Sequence, residues 1–228
     1  MEALMLAAIL DSLPIALGLI LATLPNVAVP LILAARPGAQ AVLGFLIGWA
    51  LGYLALGGGV IAFADLTARE PAAPAAWVVW ARLLLGLALL LFGWLKWRNR
   101  PLPGMEAEMP GWMASVETIN APLAVVMGFL MVVLNPKNAV LIISGALSIA
   151  AASSAPAEQA VALLVFTAIA SLAMAAPLVL RLTLGPAATD ALIRLKAAFA
   201  RHSRVIMSVV LLGLSLFVIG SALADLLF

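Results

Sequence analysis

The chain's 228 residues are 66% hydrophobic and 10% charged, with a mean hydropathy of +1.22, far from the roughly half-apolar, quarter-charged make-up of water-soluble domains, so a soluble fold is excluded. The absence of Cys removes disulfides and thiolate metal sites, and the single His, His202, removes a polyhistidine metal site. The net charge of +2 and the pI near 9.5 come from Lys and Arg placed between apolar stretches, where they set topology and do not point to nucleic acid.

Apolar runs predict six spans over about 3–35, 39–64, 74–95, 121–151, 157–183 and 204–227, each long enough for the roughly 20 residues that a crossing helix needs. None shows the alternation of a barrel strand, so the expected fold is an all-α integral membrane protein. The spans use most of the length, and 1–228 reads as a single transmembrane domain. The first run continues past the length of a signal-peptide core with no cleavage pattern, so no detachable leader is expected. The connections after spans one, three and five carry Arg36, then Lys96, Arg98 and Arg100, then Arg181, Arg194, Lys196, Arg201 and Arg204. Those after spans two and four carry Arg69 and no basic residue. By the positive-inside rule the basic connections are cytoplasmic and both termini lie outside.

Spans one and four are about 30 residues long and interrupted by proline. The first reads Leu24-Pro25-Asn26-Val27-Ala28-Val29 and the fourth Asn135-Pro136-Lys137-Asn138-Ala139-Val140. With three spans per half, the two halves must be inverted relative to each other, and Pro-interrupted helices at corresponding places are the sequence pattern of an inverted-repeat transporter. This predicts a 3+3 repeat with broken helices one and four: repeat one about 1–95, a cytoplasmic connection about 96–120, and repeat two about 121–228. It also predicts that the Pro25 and Pro136 breaks lie close together near mid-membrane.

In span two, Gly44, Gly48 and Gly52 fall on one helix face and predict close packing against a neighbouring backbone. The run Gly57, Gly58 and Gly59 weakens a helix and predicts a flexible outer end that acts as a gate. In span three, Trp77 and Trp80 with Arg82 read as an interfacial belt with a snorkelling Arg, and Trp94 and Trp97 with Lys96, Arg98 and Arg100 as its inner counterpart. The segment from Asp190 to Arg204 reads as a short helix on the cytoplasmic surface. Its cap is Thr189 or Asp190, Leu192, Leu195 and Phe199 share one face, and His202 belongs to it.

Lys137 is the most informative residue, because an ionisable group inside a span costs at least about 2.5–3.5 kcal/mol and is normally kept for function. Beside it, a helix restarting at Pro136 presents N–H groups with no intrahelical partner and concentrates partial positive charge. Ammonium plus helix N-terminus suits a phosphate, sulfate or carboxylate. Asn135 and Asn138 flank the break, and Pro25 and Asn26 would supply a matching half-site. The bland alternatives are a Lys137 that snorkels or pairs with a structural carboxylate, and a plain proline kink at Pro25. Asp11 has three readings: the counter-ion of Lys137, a proton-coupling group, or an N-cap that starts the first helix with Ser12 and Pro14.

The sequence shows no paired carboxylates, His-based dyad, metal-ligand cluster or Walker motif, so neither an enzyme nor a bound cofactor is expected. With its six spans, the Leu24-Pro25-Asn26 break and the Asn135-Pro136-Lys137-Asn138 motif, the chain resembles the lysine-exporter (LysE) superfamily along essentially its whole length. Within it, the likeness is to the bacterial GAP/Sap branch of glycolipid- or sulfolipid-addressing proteins. Amino-acid exporters of the superfamily tend to carry a Pro-Gly-Pro break in the first span, whereas here Asn26 directly follows Pro25, which favours the lipid-associated branch. The resemblance implies export of lipid-linked or amphipathic molecules across the bacterial cytoplasmic membrane.

The expectation is therefore a transporter moving an anionic amphipathic substrate, a lipid or glycolipid intermediate, outward. The alternatives are an exporter of a small polar solute such as an amino acid and a non-transporting accessory subunit of a lipid-export machine. Expected partners are membrane lipids, the anionic substrate and a second copy of the chain, with no nucleic acid.

Overall fold

The computed structural model describes residues 2–23, 40–68, 76–98, 119–185 and 208–224. Among them every regular element is a helix: α1 (Glu2–Thr23), α2 (Gln40–Thr67), α3 (Ala76–Arg98), α4 (Ala121–Val133), α5 (Pro136–Ala152), α6 (Pro156–Leu184) and α7 (Ser208–Ala224). Four of these, α1, α2, α3 and α6, are long and apolar enough to cross a membrane, and α4 with α5 forms one broken pair bent by 72°. The protein is a multi-pass helical membrane protein with four or five such spans. In the stretch expected as the sixth span the described residues form the apolar helix α7, which is shorter than the helices that qualify as spans. Of the first, α1 covers the part up to Thr23, while Pro25, Asn26 and Arg36 lie outside the described residues, as do Arg69, Arg100 and the surface helix expected over 190–204 with His202.

Two sequence expectations are corrected here. Asp11 is not an N-cap, because α1 begins at Glu2 and runs unbroken through Pro14. A bilayer offers no other partner for the backbone, so the helix absorbs the one bond that proline removes. The Gly57–Gly59 run is not a frayed end either: α2 continues through it to Thr67. Gly57 is a packing residue, since a Cβ there would lie 2.7 Å from Leu163 Cδ1, while at Gly59 it would meet nothing within 4 Å.

The seam between α2 and α4 is built of backbone against backbone. A Cβ added at Gly44 would sit 2.5 Å from the Ala121 carbonyl oxygen, one at Gly48 would run into that of Val125, and one at Gly52 would lie 2.8 Å from Val132 Cβ. From the other side, Gly128 receives the Phe45 carbonyl in the same way. With no hydrophobic force between helices in lipid, such close approach is what holds them. Both sets of positions rise together, so α2 and α4 are parallel. By contrast α2 and α6 run antiparallel, as Asp65 meets Gln159 and Tyr53 meets Phe166. So do α3 and α7, where Gly86 faces Ile219 and Gly93 faces Leu212, with Ser208 Oγ donating to the Gly93 carbonyl at 2.6 Å. Helix α1 packs on α5 and α6, and α5 also packs on α2 and α3.

The core is aromatic at its centre: Phe45, Trp49, Tyr53 and Phe166 are all buried and form a continuous stack with successive ring centroids 5.7, 6.0 and 6.3 Å apart. Large aliphatic side chains such as Leu84, Leu164, Leu172 and Leu216 face outward, as a lipid-facing surface requires. The glycine seam makes a sharp prediction. Gly48→Ala should lower the thermal midpoint of the purified protein markedly, because its Cβ has a carbonyl in its way. Gly59→Ala should leave the midpoint unchanged or raise it, alanine being the better helix former by about 1 kcal/mol. Thermal unfolding followed by circular dichroism checks both.

Candidate functional site

The break between α4 and α5 follows from Pro136, which has no N–H to give the preceding turn and excludes the helical conformation from the residue before it. Asn135 accordingly is extended, with φ −83° and ψ 108°, and its side chain makes no capping bond. The first intrahelical bond of α5 is Ala139 N–H to the Asn135 carbonyl at 2.9 Å, so the Lys137 and Asn138 N–H groups precede the ladder and carry the positive end of the helix dipole. The glycine seam fixes the depth. Val132, at the end of α4, lies on Gly52, about 18 Å along an α2 of 28 residues, roughly 42 Å long. The break therefore lies near the middle of the bundle.

Lys137 reaches across to α1 and donates from Nζ to the Ala22 carbonyl. Ala22 is in the last described turn of α1. A positive helix N-terminus and an ammonium thus come together beside a main-chain carbonyl of α1. Thr23 closes the same turn with bonds from Oγ1 to the Leu19 and Ile20 carbonyls at 2.8 and 3.1 Å. Asp11 lies on the exposed side of α1, roughly 16 Å along the helix from Ala22 at about 1.5 Å per residue. The structure brings Lys137 to a carbonyl of α1 and not to Asp11.

The other site residues spread around the break. Asn135 and Lys137 are half-buried, Pro136 is exposed, and Asn138 is fully buried with neither Nδ2 nor Oδ1 hydrogen-bonded. A groove of about 670 Å³ lined by Ile119, Leu123, Met127, Leu130, Asn135 and Pro136, among others, runs along α4 to the break. A second of about 520 Å³ lies between α2, α3 and α5, bordered by Gly59, Phe63, Trp77, Leu84, Ile143 and Leu147 among others. Of the Gly57–Gly59 run, only Gly59 faces it.

Three features have no signal in the local sequence, or only a faint one. Arg82 is not a belt residue with its head at the interface: it is 5% exposed and donates from Nη2 to Ser221 Oγ of α7 at 2.8 Å. The antiparallel packing of α3 on α7 brings Ser221 there, and nothing around Arg82 in the chain signals it. Trp80, Trp94 and Trp97 do remain exposed, with Arg98 stacked 5.4 Å above the Trp94 ring. At the C-terminal end of α2, Gln159 Nε2 donates to Asp65 Oδ1 at 3.0 Å and to the Ser153 carbonyl at 2.8 Å, and Ser153 Oγ donates to Glu158 Oε2 at 2.6 Å. This network fastens α2 to the α5–α6 turn. The third feature is the row of polar atoms in the aromatic core, whose one sequence signal is that Tyr53 is the only tyrosine of the chain.

These features define a polytopic helical membrane protein with a charged half-helix junction at mid-bundle. The chain belongs to the Sap, sulfolipid-1-addressing protein family, whose model matches residues 13–224. No curated protein and no solved structure matches it.

The buried Arg82 contact carries a prediction of its own. Ser221→Ala removes an acceptor from a buried cation and should lower stability by about 1.5–3 kcal/mol, measured as a loss in thermal or denaturant midpoint. Ser154→Ala, in the α5–α6 turn where Ser154 is exposed, should change it by less than about 0.5 kcal/mol.

Proposed function

We propose that this protein is a secondary-transporter-like translocator that exports an anionic amphipathic substrate, a lipid or glycolipid intermediate, across the bacterial cytoplasmic membrane. The observation that carries the reading is the Pro136 break at mid-bundle, with Lys137 and an uncapped helix N-terminus beside it. Unwound backbone and an ionisable group at that depth are costly and mark substrate paths in membrane proteins. Membership of the Sap family, named for addressing a sulfolipid, supports a lipid whose head carries negative charge.

The proposed architecture is six spans in a 3+3 inverted repeat, with the basic connections cytoplasmic and both termini outside. In such a repeat, span two pairs with span five and span three with span six, each pair antiparallel. The antiparallel runs of α2 against α6 and α3 against α7 support this, as do the matched lengths of α2 and α6, 28 and 29 residues. Substrate would engage Lys137, the flanking Asn135, Pro136 and Asn138, and the Pro25 and Asn26 half-site. The ammonium carries three donors. In the closed molecule the Ala22 carbonyl takes one, and an arriving sulfate or phosphate would compete for the same charge. Exchange of that partner gives the substrate a means to loosen α5 from α1. The groove along α4 would let the acyl chains stay in lipid while the head reaches the break.

The test is transport of a short-chain fluorescent phosphatidic acid in reconstituted vesicles, normalised to folded protein. Lys137→Ala should lower the rate at least tenfold, and Lys137→Arg should retain part of it. Wild-type transport by Lys137→Ala would end this reading.

A further inference from the structure

Among the described residues, three polar side chains in the core make no hydrogen bond of good geometry: the indole Nε1 of Trp49, the hydroxyl of Tyr53 and both ends of the Asn138 amide. All three residues are 0% exposed. Trp49 and Tyr53 are one turn apart on the same face of α2, with rings 6.0 Å apart. The Trp49 N–H and the Tyr53 hydroxyl interact with each other, but outside good hydrogen-bond geometry. Tyr53 stacks on Phe166 at 6.3 Å, and the next residue, Thr167, is buried with its own Oγ1 unbonded. One turn beyond Tyr53, Gly57 lies 3.8 Å, measured from an added Cβ, from Ile142 Cγ2. Ile142 is one turn beyond Asn138. Asn138 and Tyr53 each lie one turn before this contact, on α5 and α2, on the side nearest the break.

A membrane interior gives such groups no water to fall back on, so each unmade bond weighs on the closed state. A packed helix interface could fill all these positions with Leu or Phe. That it keeps an amide, a phenol and an indole N–H within neighbouring turns of α5 and α2 points to a partner that comes and goes. The chemistry of the set selects that partner. Trp49 can only donate, Tyr53 both donates and accepts, and Asn138 presents two donors on Nδ2 and an acceptor on Oδ1. A sulfate or phosphate offers acceptors alone and would leave Asn138 Oδ1 unanswered. A hydroxyl answers donors and acceptors together, and the apolar face of a hydroxylated ring fits against aromatic rings.

We infer that Trp49, Tyr53 and Asn138 form an uncharged binding site for a hydroxyl-bearing group of the substrate, separate from the charge at Lys137. This rests on reading the α4–α5 break as a substrate site. It divides the work there: Lys137 faces α1 and handles charge, while Asn138, the next residue, faces the core and reads hydroxyls. The polar atoms have no accessible surface in the closed molecule, so access requires α5 to swing from α2 about the Asn135–Pro136 hinge.

The experiment uses the full chain in phosphatidylcholine nanodiscs, prepared without sugar detergents, with hexyl β-D-glucoside as probe and hexanol as the control lacking the polyol. Thermal unfolding reads binding. The wild type should be stabilised by the glucoside and not by hexanol. Asn138→Leu should unfold at a higher temperature than the wild type without probe, since it removes two unbonded buried atoms, and should bind the glucoside at least tenfold more weakly. Tyr53→Phe, which keeps the stack, should weaken binding by less. A wild type that ignores the glucoside or responds equally to hexanol overturns the inference, as does equal glucoside binding by Asn138→Leu or a lower midpoint for that variant without probe. The probe is uncharged, so such a result, alongside Lys137-dependent transport of the anionic lipid, removes this inference and leaves the translocator reading standing.

Discussion

Within a bilayer, a proline that stops a helix leaves backbone groups that lipid cannot satisfy. At Pro136 the start of α5 is tied to a main-chain carbonyl of α1 through Lys137. The uncapped start of α5 and the ammonium of Lys137 lie against the last described turn of α1, where Ala22 supplies a carbonyl. Either positive element alone would repel its surroundings at that depth. Much else in the bundle serves to hold this junction in register.

The glycine ladder is the clearest of these devices. Gly44, Gly48 and Gly52 let α4 lie directly on α2 and so carry the break to mid-bundle. Gly145 and Gly57 do similar work for α5 and α2 against α6, making room for Phe166 and Leu163. At the far end of α2, Asp65, Gln159, Ser153 and Glu158 tie its last turn to the α5–α6 turn. The bundle is thus fastened by polar bonds at one end, by backbone contact along the α2–α4 seam and by charge at its centre. Between seam and charge it retains the unbonded polar atoms of Trp49, Tyr53 and Asn138.

The helical membrane class is legible in the sequence because soluble folds rarely sustain repeated apolar runs of about 20 residues. The break at Pro136 is legible because proline acts locally, through a missing N–H and a clash. The Gly44-Gly48-Gly52 face is legible for the same kind of reason, since helical periodicity alone aligns it. Where the sequence misleads, the deciding partner is remote in the chain. Arg82 reads as a belt residue beside Trp77 and Trp80 until α7 supplies Ser221. Gly57 reads as part of a flexible gate until α6 supplies Leu163. Asp11 beside Pro14 reads as a helix start because soluble helices begin that way, whereas a helix in lipid cannot spare the turns before it. Lys137 stands out by its cost alone, but the group it reaches on α1 is a main-chain carbonyl, which has no sequence signature.

The absence of native cysteines permits a direct test of the junction. A chain carrying Ala22→Cys and Lys137→Cys, in native-like membranes, should be cross-linked rapidly and nearly completely by a short bis-thiol reagent spanning about 8–10 Å. A chain with Ala22→Cys and Ala152→Cys, at the far end of α5 roughly 22 Å along its axis from Lys137, should remain largely unlinked. Failure of the first pair to link in folded protein, or equal linking of both, would contradict the docking of the α5 N-terminus on the end of α1.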